Sequence, residues 1–241
     1  MTARRVFLRS ALLGGAGLIA DSSLAAQTRS KPPGKPKEKD EDVKEEVSPA
    51  EDLMREHGVL KRVILVYRDV VRRLRAGEEL PRQQLADAAG VIRSFIEEYH
   101  EKLEEEHLFP RFRRAGKLVE LVDVLQAQHA AGRKLTEATL AFAKGAGQRS
   151  ADERRHAADD LAAFIRMYEP HEAREDTVLF PALRTVVSGH EYDALGEEFE
   201  KKEHQLFGKD GFEGMVERVA GIEKRLGLYD LAQFTPHVNA R

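Results

Sequence analysis

Two histidine–glutamate pairs with the same spacing recur in this chain of 241 residues. His100 is followed by Glu104 and His171 by Glu175, so each pair occupies positions i and i+4. Residues with that spacing share one face of an α-helix, which lets each pair direct an imidazole and a carboxylate into the same volume. Mixed imidazole and carboxylate ligation suits iron, manganese or zinc, and two carboxylates suit a pair of bridged ions. The spacing therefore predicts a metal site.

The segments that contain the two pairs are copies of each other. His, Glu, Glu, Leu, Phe and Pro recur at identical offsets in residues 100–110 and again, 71 positions later, in residues 171–181. One further histidine precedes each copy, His57 by 43 positions and His129 by 42. A lone His on an apolar helix face is more often a hydrogen-bonded core residue than a metal ligand, so neither His57 nor His129 would indicate a metal site by itself. Six ionisable groups in one core are costly unless something binds them, and metal ions do so.

The composition restricts the chemistry. The chain has no Cys, which excludes disulfides, thiolate zinc sites and iron–sulfur clusters. Its 39 basic and 42 acidic residues nearly cancel, so no field for a polyanion dominates and nucleic acid is not an expected partner. With 41% hydrophobic and 34% charged residues, the chain is typical of one soluble domain with a single core.

Four amphipathic helices must position the candidate ligands, one histidine on each apolar stripe. Residues 48–51 and 150–153 each combine a Ser N-cap with a Glu three positions later, a helix-start signal. The other two helices are expected after Pro81 and from about Lys117, and Pro170 is expected to kink the fourth. Because no stretch alternates with period two, we predict an all-α four-helix bundle, with one or two extra helices at about 190–207 and 212–226.

The amino-terminal region has a different character. Residues 1–26 combine Arg4 and Arg5, a short apolar stretch and small residues, and resemble a twin-arginine export signal, with an ordinary secretory signal as the alternative. The apolar stretch is too short for a bilayer, which needs about 20 residues. We therefore expect a periplasmic or secreted protein without a stable membrane anchor. Residues 27–47 are expected to be a flexible charged and Pro-rich linker, 48–208 the bundle, and 209–241 a C-terminal helix and tail.

The bundle resembles the hemerythrin family, in the bacterial branch called the HHE cation-binding domain, over roughly residues 50–208. The most specific parts of the resemblance are residues 168–181, which begin Tyr-Glu-Pro-His, and residues 99–110, which begin Tyr-His. In that family, five His and two carboxylates hold a non-haem di-iron centre inside a four-helix bundle. The carboxylates bridge the irons, and a small molecule, typically O₂, binds at one iron.

The resemblance implies a ligand set for this chain. The two Glu would be bridges and the two His of each half would serve one iron, which gives Glu104 and Glu175, His57 with His100, and His129 with His171. The chain departs from the oxygen-carrier pattern in two places. Arg133 stands where that pattern has a second His on the third helix, and the last carboxylate follows its His by four residues instead of five. His204 is the candidate fifth ligand, and it would leave the open position on the His57/His100 iron.

The remaining candidates rank lower. Four histidines are expected to be solvated or at the rim of the site: His107, His156, His190 and His237. Glu101 and Glu172 point about 100° away from the adjacent ligands on a helical wheel and are expected behind the site or at the surface. Three tyrosines are expected to be core aromatics with a hydroxyl near the site: Tyr67, Tyr99 and Tyr168.

The function expected from this reading is a non-catalytic protein with two iron ions. It would bind O₂ or a related small molecule, such as NO or peroxide, for storage, sensing or scavenging. One alternative is a di-iron redox enzyme acting on Fe(II), peroxide or NO, because the same centre could support turnover. A second alternative is an exported helical interaction domain with an incidental metal. Manganese and zinc are the alternative ions.

Overall fold

A computed structural model of the chain describes residues 47–208 and 211–236. The predicted export signal at residues 1–26 lies outside the described residues, as do His237 and all of the predicted linker except its last residue. The described residues from Ser48 onward form one compact unit. The described part is helical and contains no strand, which confirms the predicted all-α class.

The first helix begins and ends where its sequence signals lie. Helix α1 spans Pro49–Ala76, and the Ser48 hydroxyl accepts a hydrogen bond from the backbone N–H of Glu51. It ends at Gly77, whose φ of +70° is a left-handed conformation that favours glycine. The predicted stripe along α1, which includes His57 and Tyr67, is buried.

The second helix, α2, is one continuous helical run of mixed type. Its successive segments are α-helical Arg82–Val91, π-helical Ile92–His100, α-helical Glu101–Leu103, π-helical Glu104–Leu108 and α-helical Phe109–Ala115. Short π-helical turns inside α-helices are frequent at functional sites. Here they lie in the middle of the helix and contain both members of the first pair, His100 and Glu104.

The second pair of helices repeats this arrangement. Helix α3 spans Val119–Lys144, and α4 begins as Ala151–Arg174, with both hydrogen bonds of the predicted capping box at Ser150. Helix α4 then continues through a π-helical turn, Glu175–Leu179, into a last turn, Phe180–Leu183. It is helical on both sides of Pro170.

Two extra helices follow, as predicted. Helix α5 spans Gly189–Phe207 and α6 spans Gly211–Leu226, and a single 3₁₀ turn lies at Leu231–Phe234. Helix α1 packs on α4, α2 packs on α3, and α6 packs on both α1 and α2. Among the described residues, no helix combines the length and the apolar character that crossing a membrane requires.

Candidate metal centre

Helices α1 to α4 each direct at least one predicted ligand into the centre of the bundle. The six inner residues are all at most 4% exposed: His57, His100, Glu104, His129, His171 and Glu175. They form one cluster, surrounded by the bundle's aromatic and aliphatic core. The structure thus brings together the six residues that the repeat singled out.

The cluster divides into two groups of ligand atoms. Within each group the atoms lie within 4.8 Å of one another, and the groups are His57, His100 and Glu175 on one side and His129, His171 and Glu175 on the other. Glu175 belongs to both groups, with Oε2 3.3 Å from Nε2 of His57 and Oε1 3.1 Å from Nε2 of His171. One carboxylate can therefore bridge two ions.

Glu104 lies between the same two groups. Its Oε2 is 3.4 Å from Nε2 of His129 and 3.9 Å from Nε2 of His100. The two glutamates thus face each other across the cluster, and each reaches a histidine of both halves.

Several of these buried polar atoms have no hydrogen-bond partner. They are Nε2 of His100 and both carboxylate oxygens of Glu104 and of Glu175. A buried polar group without a partner costs about 1–3 kcal/mol, and a charged group costs more. Cations ligated by these atoms would remove that cost, and carboxylate and imidazole donors suit iron, manganese or zinc. The residues present therefore fit a pair of metal ions.

Every histidine of the cluster is held from behind at Nδ1. The contacts are His57 to Asp176 at 2.7 Å, His100 to Glu56 at 2.8 Å, His129 to Glu105 at 3.1 Å and His171 to Gln128 at 2.8 Å. An Nδ1–H that donates to such an oxygen fixes the ring orientation and leaves the Nε2 lone pair for a metal. This is the usual support of metal-binding histidines.

Sequence reasoning missed these four supporting residues, although the repeat contains them. Glu105 and Asp176 are related by the same 71-position shift as the His–Glu pairs. Glu56 and Gln128 each directly precede the single histidine of their helix. A comparison that also counted chemically similar residues, inside the copies and directly before the two single histidines, would have found all four.

A cation stands behind each pair of outer carboxylates. Arg133, four residues after His129, donates from Nη2 to Glu101 at 2.7 Å and to Glu105 at 2.6 Å. Lys61, four residues after His57, places Nζ 3.8 Å from Glu172 and 3.6 Å from Asp176.

The two cations differ in burial. The Lys61 side chain is 54% exposed and that of Arg133 is 27% exposed. Glu101 and Glu172, by contrast, are buried behind the ligands. Arg133 thus forms a tighter contact with its carboxylates than Lys61 does.

The predicted tyrosines all lie in the core. Tyr67, Tyr99 and Tyr168 are buried, and the Tyr168 hydroxyl donates to Glu101 at 2.7 Å. Gly132 makes room for this ring, because a Cβ there would lie 2.8 Å from Cζ of Tyr168. The place of a glycine on an inward stripe of α3 is thereby explained.

One histidine in each half has an elevated pKa. Burial lowers the pKa of His57, but its hydrogen bond with Asp176 and the adjacent carboxylate of Glu175 outweigh burial and raise the pKa to about 10. Burial also lowers the pKa of His129, while the charge of Glu101, the hydrogen bond with Glu105 and the adjacent carboxylate of Glu104 raise it to about 10. The metal-free cluster therefore holds protons where metal ions would bind.

The pKa values of the two candidate bridging residues, Glu104 and Glu175, are shifted in opposite directions. Burial, followed by the charge of Glu175, raises the pKa of Glu104 to about 8. Burial also raises the pKa of Glu175, but His171 and His57 outweigh it and hold that pKa well below its ordinary value. In the metal-free cluster the negative charge thus resides on Glu175.

The structure does not bring His204 to the cluster, and this corrects the prediction of a fifth histidine. Helix α5 buries one face, made of Tyr192, Leu195, Phe199 and Glu203. His204 is one residue further, about 100° around the helix, and its side chain is exposed. The inner cluster among the described residues contains four histidines, and no three-histidine position forms.

The other described histidines lie away from the cluster. His107 faces α5, with Nδ1 3.7 Å from Glu198 and its ring against Phe199. His156 and His190 are exposed.

Comparisons with known proteins bear on the same region. The hemerythrin HHE cation binding domain matches residues 48–183, which span α1 to α4. Proteins of Mycobacterium bovis and of two Mycobacterium tuberculosis strains are 49% identical to this chain over 221 residues. Each alignment covers 92% of this chain and 86% of the relative, and each relative is named only as an uncharacterized protein. No solved structure matches the chain.

Proposed function

This chain belongs to the hemerythrin HHE cation-binding family, and from that premise we propose that it is a non-haem di-iron protein that binds O₂ or a related small molecule such as NO or peroxide. One observation carries the proposal. Glu175 is shared by two groups of buried histidines, and both of its carboxylate oxygens lack a hydrogen-bond partner. A shared carboxylate between two imidazole pairs is an arrangement for two ions.

Bound iron would supply the reversible redox chemistry that O₂ binding needs, while the protein orients the ligands and excludes water. Asp176 and Glu56 hold the imidazoles of His57 and His100 at Nδ1, so that Nε2 of each faces the interior. Each ion would receive two imidazoles and shared carboxylates, which is fewer donors than an octahedral ion accepts. A position for a small exogenous ligand follows from that count.

The repeated Leu-Phe-Pro segments supply the apolar wall of this site. Phe180 stacks on the ring of His57, with centroids 5.5 Å apart, and Phe109 stacks on His129 at the same distance. Each Phe thus covers a histidine of the other half. A dry, aromatic surround favours binding of a small apolar molecule such as O₂ and keeps water away from it.

The test is anaerobic loading of the full chain with Fe(II), followed by metal analysis and a visible spectrum before and after O₂. We expect two irons per chain and new charge-transfer bands in the visible after O₂ is added. The control is Glu175→Ala, which should neither retain the pair nor develop the bands. Fewer than one iron per chain, or two irons with a spectrum indifferent to O₂, NO and peroxide, would refute the proposal.

We also propose export through residues 1–26, on the evidence of the paired arginines and the short apolar stretch that follows them. Twin-arginine export passes folded proteins, which suits a cofactor inserted before transport. The test is fractionation of cells that express the chain with Arg4→Lys and Arg5→Lys together. Retention of that variant in the cytoplasm, with the unmodified chain outside it, is the expected result, and unchanged export of the variant would contradict the twin-arginine route.

A further inference from the structure

We propose that the two metal positions are unequal, and that the position formed by His57 and His100 holds a divalent ion more tightly than the position formed by His129 and His171. The inference rests on the proposed pair of ions and deepens it. Each position has two histidines and shares Glu175. Because the donor sets match, we look for the cause of a difference in affinity among the residues that contact the histidines from behind.

One histidine of each position is held by an acceptor of different charge. Nδ1 of His100 lies 2.8 Å from a carboxylate oxygen of Glu56, and Nδ1 of His171 lies 2.8 Å from the amide oxygen of Gln128. The geometry is the same, but only the first acceptor carries a negative charge. A carboxylate behind an imidazole raises its basicity and strengthens its bond to a metal.

The other histidine of each position is held by a carboxylate, and the two carboxylates are neutralised to different degrees. Glu105, behind His129, accepts from Arg133 at 2.6 Å and from Lys102 at 2.6 Å. The charge of Glu105 is thus largely compensated by groups other than the metal ligand.

Asp176, behind His57, has a weaker cationic neighbour. Nζ of Lys61 is 3.6 Å from its Oδ2, and the Lys61 side chain is more than half exposed, so solvent screens the interaction. Asp176 therefore retains more of its negative charge for the metal side than Glu105 does.

Further carboxylates surround Glu56. Oxygens of Asp52, Glu56 and Glu203 lie within 4.8 Å of one another where α1 meets α5. Arg55 offsets part of this charge at 3.9 Å from Asp52. Behind the other position, Glu101 and Glu105 are both contacted by Arg133, and Glu105 also by Lys102. The field behind the His57/His100 position is thus more negative, and a divalent cation is bound more tightly in a more negative field.

The test is an anaerobic titration of the metal-free full chain with Co(II) against a competing chelator, read from the visible absorption of bound Co(II). We expect two dissociation constants separated by about tenfold or more. His100→Ala should remove the tighter step, and His171→Ala should remove the weaker one. Two equal constants, or a tight step that survives His100→Ala, would overturn the inference.

A matched exchange of acceptors tests the cause. Glu56→Gln should weaken the tighter step by about tenfold, and Gln128→Glu should tighten the weaker step by a similar factor. Opposite shifts from two isosteric changes are not expected of residues with a merely structural role. If Glu56→Gln does not fold, Gln128→Glu decides alone, and an unchanged weaker step in it would overturn the inference.

The outcomes also separate this inference from the proposed function. A chain that binds no Co(II) and no Fe(II) would defeat both. A chain that binds two ions with equal constants, and responds to O₂ when loaded with iron, would defeat only the inference.

Discussion

The first half of the bundle, α1 and α2, and the second half, α3 and α4, have the same plan in the interior and differ behind it. In each half the first helix supplies one histidine and the second supplies a histidine, a buried Glu and a Phe that stacks across the site. Behind the ligands, Glu56 in the first half corresponds to Gln128 in the second, and Lys61 corresponds to Arg133. The ligands are matched, whereas the charges that tune them are not.

This contrast shows what the repeat constrains. A residue that must reach a metal has few replacements, because its length and donor atom are both fixed. A residue that supports it needs only an acceptor or a cation at the right place, so Gln can stand for Glu and Lys for Arg at some cost in field strength. Two chemically similar positions can thereby acquire different properties without a change of ligand.

The largest expected effect tests whether the two glutamates are equivalent. Glu175 joins both groups of ligand atoms, whereas Glu104 joins neither at that distance. Glu175→Ala should therefore lose both ions, and Glu104→Ala should retain at least one. The measurement is metal per chain after anaerobic Fe(II) loading and desalting. Equal losses in the two variants would make the bridges interchangeable.

The sequence predicts the inner cluster because each His–Glu pair lies at positions i and i+4 and each single histidine lies on an apolar stripe, which fixes the helix face that these residues share. It does not predict the π-helical turns, because residues at i and i+4 share a face in an ordinary α-helix as well. It also misplaces His204. Leu206, two residues after His204, is 52% exposed, while Glu203 is buried, so the buried face of α5 includes Glu203 and excludes His204. The apolar periodicity of α5 does not reveal which of the adjacent polar residues Glu203 and His204 is buried.

The pH dependence of metal affinity tests whether the two halves hold protons alike in the metal-free chain. His57 and His129 each have a pKa of about 10 in the metal-free chain, so both are protonated at pH 7. Because metal must displace these protons, each binding step should strengthen about tenfold per pH unit between pH 8 and 9, and the two steps together more steeply below pH 8, where Glu104 is protonated as well. The measurement is Co(II) affinity at several pH values, with His129→Gln as the control that removes one proton. Affinity that does not change with pH would contradict the prediction.

Removal of the two outer cations should have unequal consequences for folding. Arg133→Ala leaves Glu101 buried without its cation and should lower the free energy of unfolding by about 3 kcal/mol. Lys61→Ala removes a mostly exposed charge and should cost less than about 1 kcal/mol. Urea unfolding of the metal-free variants at pH 7 measures both. A larger loss for Lys61→Ala than for Arg133→Ala would contradict the tighter contact described for Arg133.

Two glycines, one in each half, should respond in opposite directions to Ala. At Gly132 a Cβ would collide with the ring of Tyr168 and disturb its hydrogen bond to Glu101, so Gly132→Ala should destabilise by about 1–3 kcal/mol. At Gly58, in the interior of α1, no atom lies within 4 Å of an added Cβ. Gly58→Ala should therefore stabilise the chain by up to about 1 kcal/mol. Thermal unfolding measures both, and the same sign in the two variants would contradict the packing described for Tyr168.

The smallest expected effect concerns the counterpart of Glu101 in the second half. Burial raises the pKa of Glu172 to about 7, and Lys61, the first cation to oppose this, is too exposed to prevent it. The folded chain thus binds this proton more tightly than the unfolded chain, so the folded state loses stability as the pH rises from the ordinary value of a Glu to about 7. Glu172→Gln cannot ionise and should be more stable than the unmodified metal-free chain by about 1 kcal/mol at pH 8, with no difference below pH 4. Urea unfolding at the two pH values measures this difference. The matched change in the first half, Glu101→Gln, removes the charged partner of Arg133 and should lower the free energy of unfolding at pH 8. If both variants were instead more stable than the unmodified chain, neither outer glutamate would have its charge compensated, and the two halves would differ less than their contacts indicate.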